Sequence, residues 1–239
     1  MSFLGSIGHL MAGTGIQELL QVIFTGNTVS HILSGKAVAR AIRGHLLLDS
    51  VLHTLLLSNV FETKLSLSND NVPSELESIA VIYDNLVSGE ITIQDVESSV
   101  QLQALQKKLD TYTETIESGH PTAKLWLTYM DMVNIMREFI RSERIGDWSL
   151  HLQILQDMLP YLAASGHHLY TKSLHVYLQQ MTKLQDTHPN IYRRFIQGLH
   201  VVRRSDRFWA GLSTDLVIEQ VLMRSLKTSG GLMRGRGIV

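Results

Sequence analysis

The stretch PTAKLWLTYMDMVNIMREFIRSER, residues 121–144, decides the fold class of this chain. Its apolar side chains recur every three or four residues, which places them on one face of an α-helix. Pro121 suits the first helical turn, where its missing N–H costs nothing. Gly146 and Asp147 predict the end of this helix, and Asp147 also predicts the N-cap of the next one, from Trp148 to about Leu162.

The same spacing predicts helices along most of the preceding and following chain, up to Gly198. Gly44 lies within one of them and predicts either close packing or a break there. The sequence Ser74-Glu75-Leu76-Glu77 predicts a capping box. Pro160 predicts a kink or an end. Beyond the two helices above, we expect helices at about 36–58, 74–87, 100–116, 169–184 and 189–198.

The pattern changes after residue 198. Short β-branched and aromatic runs at 199–204 and 207–210 predict two strands or one bent strand, and a final helix is expected at 216–227. We therefore predict a mainly α protein, a multi-helix bundle with a short strand segment and a final helix near the C-terminus. The expected division is a helical region at 1–198, a strand–helix segment at 199–228 and a loose basic tail at 229–239.

Composition excludes several classes of protein. The chain has 239 residues, 44% of them apolar and 18% charged, and it has no cysteine. The absence of cysteine excludes disulfide-stapled modules and cysteine-ligated zinc or iron–sulfur sites. The most apolar stretch, 45–61, is interrupted by Asp49 and His53 and is too short to suit a bilayer. The start lacks a basic region of the kind that opens a signal peptide, so we expect an intracellular protein without a membrane partner.

Charge is unevenly distributed along the chain. Residues 192–239 contain nine Lys or Arg and three Asp or Glu, a net charge of +6, which leaves −7 for residues 1–191. Eight of the nine are arginine, which binds phosphate with a forked pair of donors. This excess favours a nucleic-acid-binding face, for which the candidates are Arg203, Arg204, Arg207, Arg224, Arg234 and Arg236. The alternative is internal pairing with the acidic part of the chain, together with a solvated tail.

Local motifs for catalysis or metal binding are missing. Among eleven histidines there is no HExxH, and no carboxylate lies between Asp157 and Asp186 to accompany His168 and His175. We therefore expect packed or exposed histidines rather than a metal site. GxSxG, GxGxxG and P-loop patterns are also absent, so no nucleophile elbow and no mononucleotide or dinucleotide site is predicted.

Three carboxylates near the carboxyl end form the sharpest candidate site. Asp215 and Glu219 are four residues apart on the expected final helix, and Asp206 would approach them if the strand packs beside that helix. Converging carboxylates hold Mg²⁺ or Mn²⁺ for phosphoryl transfer. The alternative is a helix-capping Asp215 and an ion pair from Glu219 to Arg224 or Arg204.

Several blocks of the sequence resemble a family of multi-copy animal proteins apparently derived from mobile elements. The resemblance rests on MSFLGSIG at 1–8, LSGKA at 33–37, RAIRGH at 40–45 and GHHLYTK at 166–172, and most specifically on VRRSDRFWAGLSTDLVIEQ at 202–220. Members resemble transposases with a ribonuclease-H-like fold interrupted by a helical insert. By that similarity 35–198 corresponds to the insert, and Glu219 corresponds to the last catalytic acid and metal ligand.

The resemblance carries functional expectations of its own. The family's upstream strands, one of them bearing an Asp, would precede Met1, so the resemblance implies a fragment with weak or no catalytic activity that keeps DNA binding. A DNA-binding protein would be nuclear, and otherwise we expect it in the cytoplasm. The alternative function is a helical protein–protein interaction module that presents the stripe of Trp126, Tyr129, Met132, Met136 and Phe139 to a partner.

Overall fold

A computed structural model describes residues 2–62, 73–203, 205, 207 and 210–213. Within these residues the chain is mainly helical, with twelve helices and one two-stranded antiparallel sheet, as the sequence predicts. The helices are α1 Ser2–Leu10, α2 Ile16–Gln21, α3 Gly26–Leu33, α4 Val38–Val60, α5 Ser74–Ser88, α6 Ile93–Glu97, α7 Val100–Gly119, α8 Pro121–Ile145, α9 Trp148–Ala164, α10 His168–Met181, α11 Leu184–Thr187 and α12 Pro189–Ile196. The strands are β1 Val201–Arg203 and β2 Gly211–Ser213.

The chain forms two compact units. Unit 1 consists of Met1–Leu10 together with Asn134–Val239, and unit 2 is Met11–Val133. The boundary between Val133 and Asn134 lies inside α8, so this helix contributes its first half to unit 2 and its second half to unit 1.

Unit 1 is built on the packing of α1 and α10 against α9. The ring of Phe3 meets that of Tyr161 edge to face, with the ring centroids 6.3 Å apart. The buried hydroxyl of Ser165 donates a hydrogen bond of 2.7 Å to the hydroxyl oxygen of Ser6. Each large apolar side chain that is fully buried in such a core contributes about 1.5–3 kcal/mol to folding.

Unit 2 places α4 against α2, α3 and α7. α4 is continuous through Gly44, where a Cβ atom would lie 3.1 Å from Phe24 Cε2 and 3.3 Å from Leu20 Cδ2. The expectation of close packing at this glycine is therefore confirmed, and the helix does not break.

The aromatic and methionine stripe of α8 belongs to the cores of the two units. Tyr129 and Met132 are fully buried in unit 2, and Met136 is 4% exposed in unit 1. Trp126 and Phe139 are half-buried. The chain itself therefore covers most of the stripe that the interaction-module hypothesis expects a partner protein to contact.

One local expectation is wrong, and the structure narrows another. The capping box expected at Ser74 is wrong, because Ser74 is already helical and Pro73 occupies the N-cap. A capping box forms instead at Thr92, whose side chain accepts from Asp95 N–H while the Asp95 carboxylate accepts from Thr92 N–H. Of the two outcomes expected at Pro160, a kink or an end, the end does not occur at that residue, because α9 runs on to Ala164.

Part of the second expected strand, at 207–210, lies outside the described residues. The described second strand, β2, begins at Gly211 and pairs with β1, with Val201 opposite Ser213 and Arg203 opposite Gly211. The sequence pattern predicts that Gly211 to Ser213 lead into the final helix. In the structure these residues are extended because they pair with β1. The expected final helix at 216–227 and the tail at 229–239 lie outside the described residues.

Among the described residues, no helix combines the length and the apolar character needed to cross a membrane.

Candidate functional site

The structure places only part of the sequence-predicted site. Arg203 lies on β1 and Arg207 in the connection between the strands, and both side chains are exposed. The three carboxylates, Asp206, Asp215 and Glu219, and the arginines Arg204, Arg224, Arg234 and Arg236 lie outside the described residues. The convergence of the carboxylates and the basic face of the last segment therefore stay predictions.

The β1–β2 hairpin packs against the carboxyl end of α8. The Arg203 guanidinium donates a hydrogen bond of 2.8 Å to the carbonyl oxygen of Ile145, the last residue of that helix. Arg144 in turn donates to the carbonyl oxygen of Gly211 at 3.4 Å. A Cβ atom on Gly211 would collide with the carbonyl oxygens of Glu143 and Arg144, so only glycine lets β2 come this close. Arg203 thus satisfies an otherwise unpaired helix-terminal carbonyl.

Two glycine turns meet beside this contact. Gly146 follows α8 and Gly198 follows α12, and both have positive φ, +76° and +80°. A Cβ atom on Gly146 would lie 3.1 Å from the Cα atom of Gly198. The close approach of these two turns brings the end of α8 near His200, which precedes β1.

Glu143, His151 and His200 converge at this place from three parts of unit 1. Glu143 is in the last turn of α8, His151 is in the first turn of α9, and His200 follows α12. Each offers one ligand atom, a carboxylate oxygen or a ring nitrogen, and these three atoms all lie within 4.8 Å of one another. Glu143 Oε1 and His151 Nδ1 are 2.8 Å apart, and the two side chains are only 13% and 12% exposed.

Aromatic rings surround the cluster of Glu143, His151 and His200. Trp148 stacks on His151, with ring centroids 5.4 Å apart and planes inclined by 16°. The same indole meets His200 edge to face at 5.1 Å and Phe195 at 4.6 Å. Tyr177 places its hydroxyl 3.4 Å from His151 Nε2. Trp148 is buried, and no hydrogen-bond partner for its Nε1 is present among the described residues.

Burial shifts the pKa of two groups at this place, His200 and Tyr177. It lowers the pKa of His200, and the neighbouring His151 lowers it further, against the opposing effect of the Phe195 carbonyl and of the Glu143 and Asp147 carboxylates. Burial also raises the pKa of Tyr177 to about 12, with an added contribution from the negative charge of Glu143. A neutral His200 keeps a lone pair on one ring nitrogen, which is the form that binds metal ions.

Exposed basic side chains lie on α12 and in the connection between the strands. α12 packs on α9 through Phe195, whereas Arg193 and Arg194 in its last turn are exposed. Within the part of the chain that the structure describes, no ion pair joins Arg193, Arg194 or Arg207 to a carboxylate. Arg193 and Arg194 form what we call the α12 basic surface, and Arg207 lies separately in the connection between β1 and β2.

The sequence pattern does not reveal the cluster of Glu143, His151 and His200. Metal sites that can be recognised from sequence have ligands at short, fixed spacing. In this cluster only Glu143 and His151 are close in sequence, and Glu–His pairs at such a spacing are too common to indicate a metal site. His200 comes from a distant segment. The signal that could have found it is the two glycines, Gly146 and Gly198, each placed a few residues from a candidate ligand.

A family model described as Domain of unknown function (DUF8702) matches residues 1–239. No curated protein matches the chain, and no solved structure matches it.

Proposed function

We propose that this chain, which belongs to the DUF8702 family, binds nucleic acid through the α12 basic surface and the β1–β2 hairpin. The observation that carries the proposal is the exposure of Arg193, Arg194 and Arg207 without a carboxylate partner among the described residues. Unpaired arginines of this kind bind phosphates with charge-assisted, often bidentate hydrogen bonds.

The rigid support of these arginines favours the proposal. Phe195 anchors α12 on Trp148, and the Arg203–Ile145 hydrogen bond anchors the hairpin on α8. Charges on anchored elements lose less conformational freedom on binding than charges on a loose tail. The excess positive charge of 192–239 acts in the same direction by steering a polyanion toward this part of the chain.

The test measures the affinity of the full chain for duplex DNA of unrelated sequences as a function of salt concentration. With two or three phosphate contacts, the logarithm of the association constant should fall with the logarithm of salt with a slope of about −2 to −3. The double variant Arg193→Gln/Arg194→Gln should bind about tenfold more weakly, with a shallower slope, because two phosphate contacts are lost. Arg203 is left unchanged, since its loss would also disturb the hairpin.

A matched control removes the same charge elsewhere. Arg40→Gln/Arg43→Gln takes two exposed arginines from α4, in unit 2, and should leave the affinity within twofold of the parent. An equal loss of DNA affinity in both double variants would show that binding depends only on net charge. It would overturn the proposal that the α12 basic surface is the binding site. Nicking of DNA with Mg²⁺ or Mn²⁺ that disappears in Glu219→Gln would extend the proposal to catalysis.

A second candidate function, association with a protein partner, is favoured by an apolar stripe on α4. Leu47, Val51 and Leu55 are 48%, 49% and 54% exposed and follow one another at four-residue spacing, so they form one strip on the helix surface. Leu47→Glu/Leu55→Glu should weaken self-association of the chain, measured by sedimentation, or its binding to a defined partner protein. The neighbouring exposed Ser50→Glu is the control and should change neither.

A further inference from the structure

We propose that Glu143, His151 and His200 bind a first-row transition-metal ion, with Zn²⁺ as the best match to their chemistry. This inference is independent of nucleic-acid binding. It rests on the convergence of one carboxylate oxygen and two imidazole nitrogens within 4.8 Å in a mostly buried part of unit 1. Zn²⁺ takes ligand atoms at about 2.0–2.2 Å, so small side-chain movements bring all three onto one ion.

The hydrogen bonding of His200 favours a role as a ligand. Its Nδ1 lies 3.3 Å from the carbonyl oxygen of Phe195, which only accepts hydrogen bonds, so this nitrogen carries the proton. The lone pair is then on Nε2. An imidazole that donates to a backbone carbonyl through one nitrogen and binds the metal through the other is the usual arrangement in metalloproteins.

Glu143 and His151 place one potential ligand atom each beside the place where the ion would lie. Their atoms, Oε1 and Nδ1, are 2.8 Å apart. A metal ion bound between them would take both atoms as ligands, and the neutral His151 ring would then carry its proton on Nε2, which faces the Tyr177 hydroxyl. Tyr177, 3.4 Å from His151 Nε2, holds the orientation of the ring.

The surroundings strengthen the attraction between ion and ligands. Trp148, Phe195 and Phe139 place aromatic rings around the two histidines, with centroid distances from 5.1 to 6.0 Å, and they exclude much of the water. A carboxylate that is 13% exposed in such surroundings is costly without a positive partner. A dication supplies that partner.

The ligand set selects the metal. Two imidazoles and one carboxylate suit Zn²⁺ and Co²⁺, whereas Mg²⁺ and Ca²⁺ prefer oxygen ligands alone. Cu⁺ prefers sulfur ligands, and the chain has no cysteine. Three protein ligands leave a fourth tetrahedral position for water. The ion would join α8, α9 and the segment that precedes β1.

The experiment adds Zn²⁺ to the metal-free full chain against a chelator of known affinity and measures stoichiometry and affinity. One Zn²⁺ per chain should bind, and the melting temperature should rise with its concentration, because a ligand that binds only the folded state stabilises it. Co²⁺ in place of Zn²⁺ should give the visible absorption of a tetrahedral site.

Variants assign the site. His200→Gln and Glu143→Gln should each weaken Zn²⁺ binding tenfold or more and abolish the rise in melting temperature, with the helical circular dichroism of the parent retained. The control His175→Gln removes an exposed histidine of α10 and should change neither quantity. A stoichiometry of zero for the parent chain, or equal affinity in all three variants, would overturn the assignment whether or not each variant folds as well as the parent.

Discussion

Tyr129 and His45 form a buried polar pair in unit 2. His45 Nδ1 and the Tyr129 hydroxyl are 2.9 Å apart, and both residues have no exposed surface. His45 Nε2 has no hydrogen-bond partner among the described residues. Burial raises the pKa of Tyr129, with a smaller contribution from the charge of Asp49, so this hydroxyl keeps its proton. Within the unit 2 core, each of these two buried polar groups has the other as a hydrogen-bond partner.

Removing the hydroxyl tests that dependence. Tyr129→Phe keeps the ring but leaves His45 Nδ1 buried without this partner, so we expect the free energy of unfolding to fall by about 1–3 kcal/mol. Tyr83, which is 65% exposed on α5, provides the control, and Tyr83→Phe should change stability by less than about 0.5 kcal/mol. Urea denaturation measures both. Equal midpoints for the two variants would mean that the hydrogen bond contributes nothing net.

The protonation of His45 gives the fold a pH dependence. Burial lowers the pKa of His45 from 6.5 to about 4, so the folded state holds this ring neutral where the unfolded state would protonate it. The contribution of neutral His45 to the free energy of unfolding is therefore fully present above pH 6.5, and it is lost as the pH falls toward 4. The loss is at most about 3 kcal/mol.

Replacing the ring isolates this contribution. His45→Gln should be less stable than the parent at about pH 7.5 because the pair with Tyr129 is altered. Between about pH 6.5 and 4.5, however, its free energy of unfolding should fall more gently than that of the parent. Denaturation curves across this range provide the measurement, and parallel pH profiles for parent and variant would contradict the prediction.

At the scale of elements, the turns after α8 and α12 depend on glycine. Gly146 and Gly198 both have positive φ, and a Cβ atom on either would lie 3.1 Å from backbone atoms of the other, closer than ordinary van der Waals contact. Alanine at either position would introduce backbone strain and a steric conflict. Gly146→Ala and Gly198→Ala should each lower the free energy of unfolding by about 1–3 kcal/mol.

Gly119 is the matched control for these two substitutions. It ends α7 with helical backbone, and a Cβ atom there would meet no heavy atom of a neighbouring element within 4 Å, so Gly119→Ala should be neutral or slightly stabilising. Thermal unfolding compares the three variants. If all three melt together, close approach of the two turns is not a constraint on the fold.

The helices were predictable because their signals are local. The apolar spacing of α8 marks its face, and the Asp147 carboxylate accepts from Leu150 N–H at 2.9 Å, as expected for an N-cap. The position of β2 was not predictable from local signals. Gly211 is a poor strand residue by propensity, and it is extended because it pairs with Arg203 and fits under the end of α8.

The candidate site was less predictable than the fold. Glu143, His151 and His200 are brought together by two turns and by the packing of Phe195 on Trp148, none of which has a sequence signature. The carboxylates expected at the site, Asp206, Asp215 and Glu219, lie outside the described residues, and their convergence stays a prediction.

At the scale of the whole molecule, α8 belongs to both compact units. Asn134 lies in the middle of this helix, just after the boundary, and its side chain is exposed. Proline at this position would remove one helical hydrogen bond and would clash with the carbonyl of the preceding turn, at a cost of about 3 kcal/mol or more.

Because each unit contains half of α8, Asn134→Pro should weaken both. Hydrogen exchange should show faster exchange in α4 of unit 2 and in α9 of unit 1, whereas Asn134→Ala should leave both protected as in the parent. Protection lost in one unit alone would show that the two halves of the helix fold independently.

The hydrogen bond between Ser6 and Ser165 has a consequence for how the chain is made. These residues are 159 positions apart, so at about 5–20 residues per second α1 leaves the ribosome about 10–30 s before its partner helix. During that interval the rest of unit 1, which buries Phe3, Leu4 and Ile7 in the folded chain, has not yet been made. Until α9 is made, the apolar face of α1 therefore lacks the helix that covers it in the folded chain.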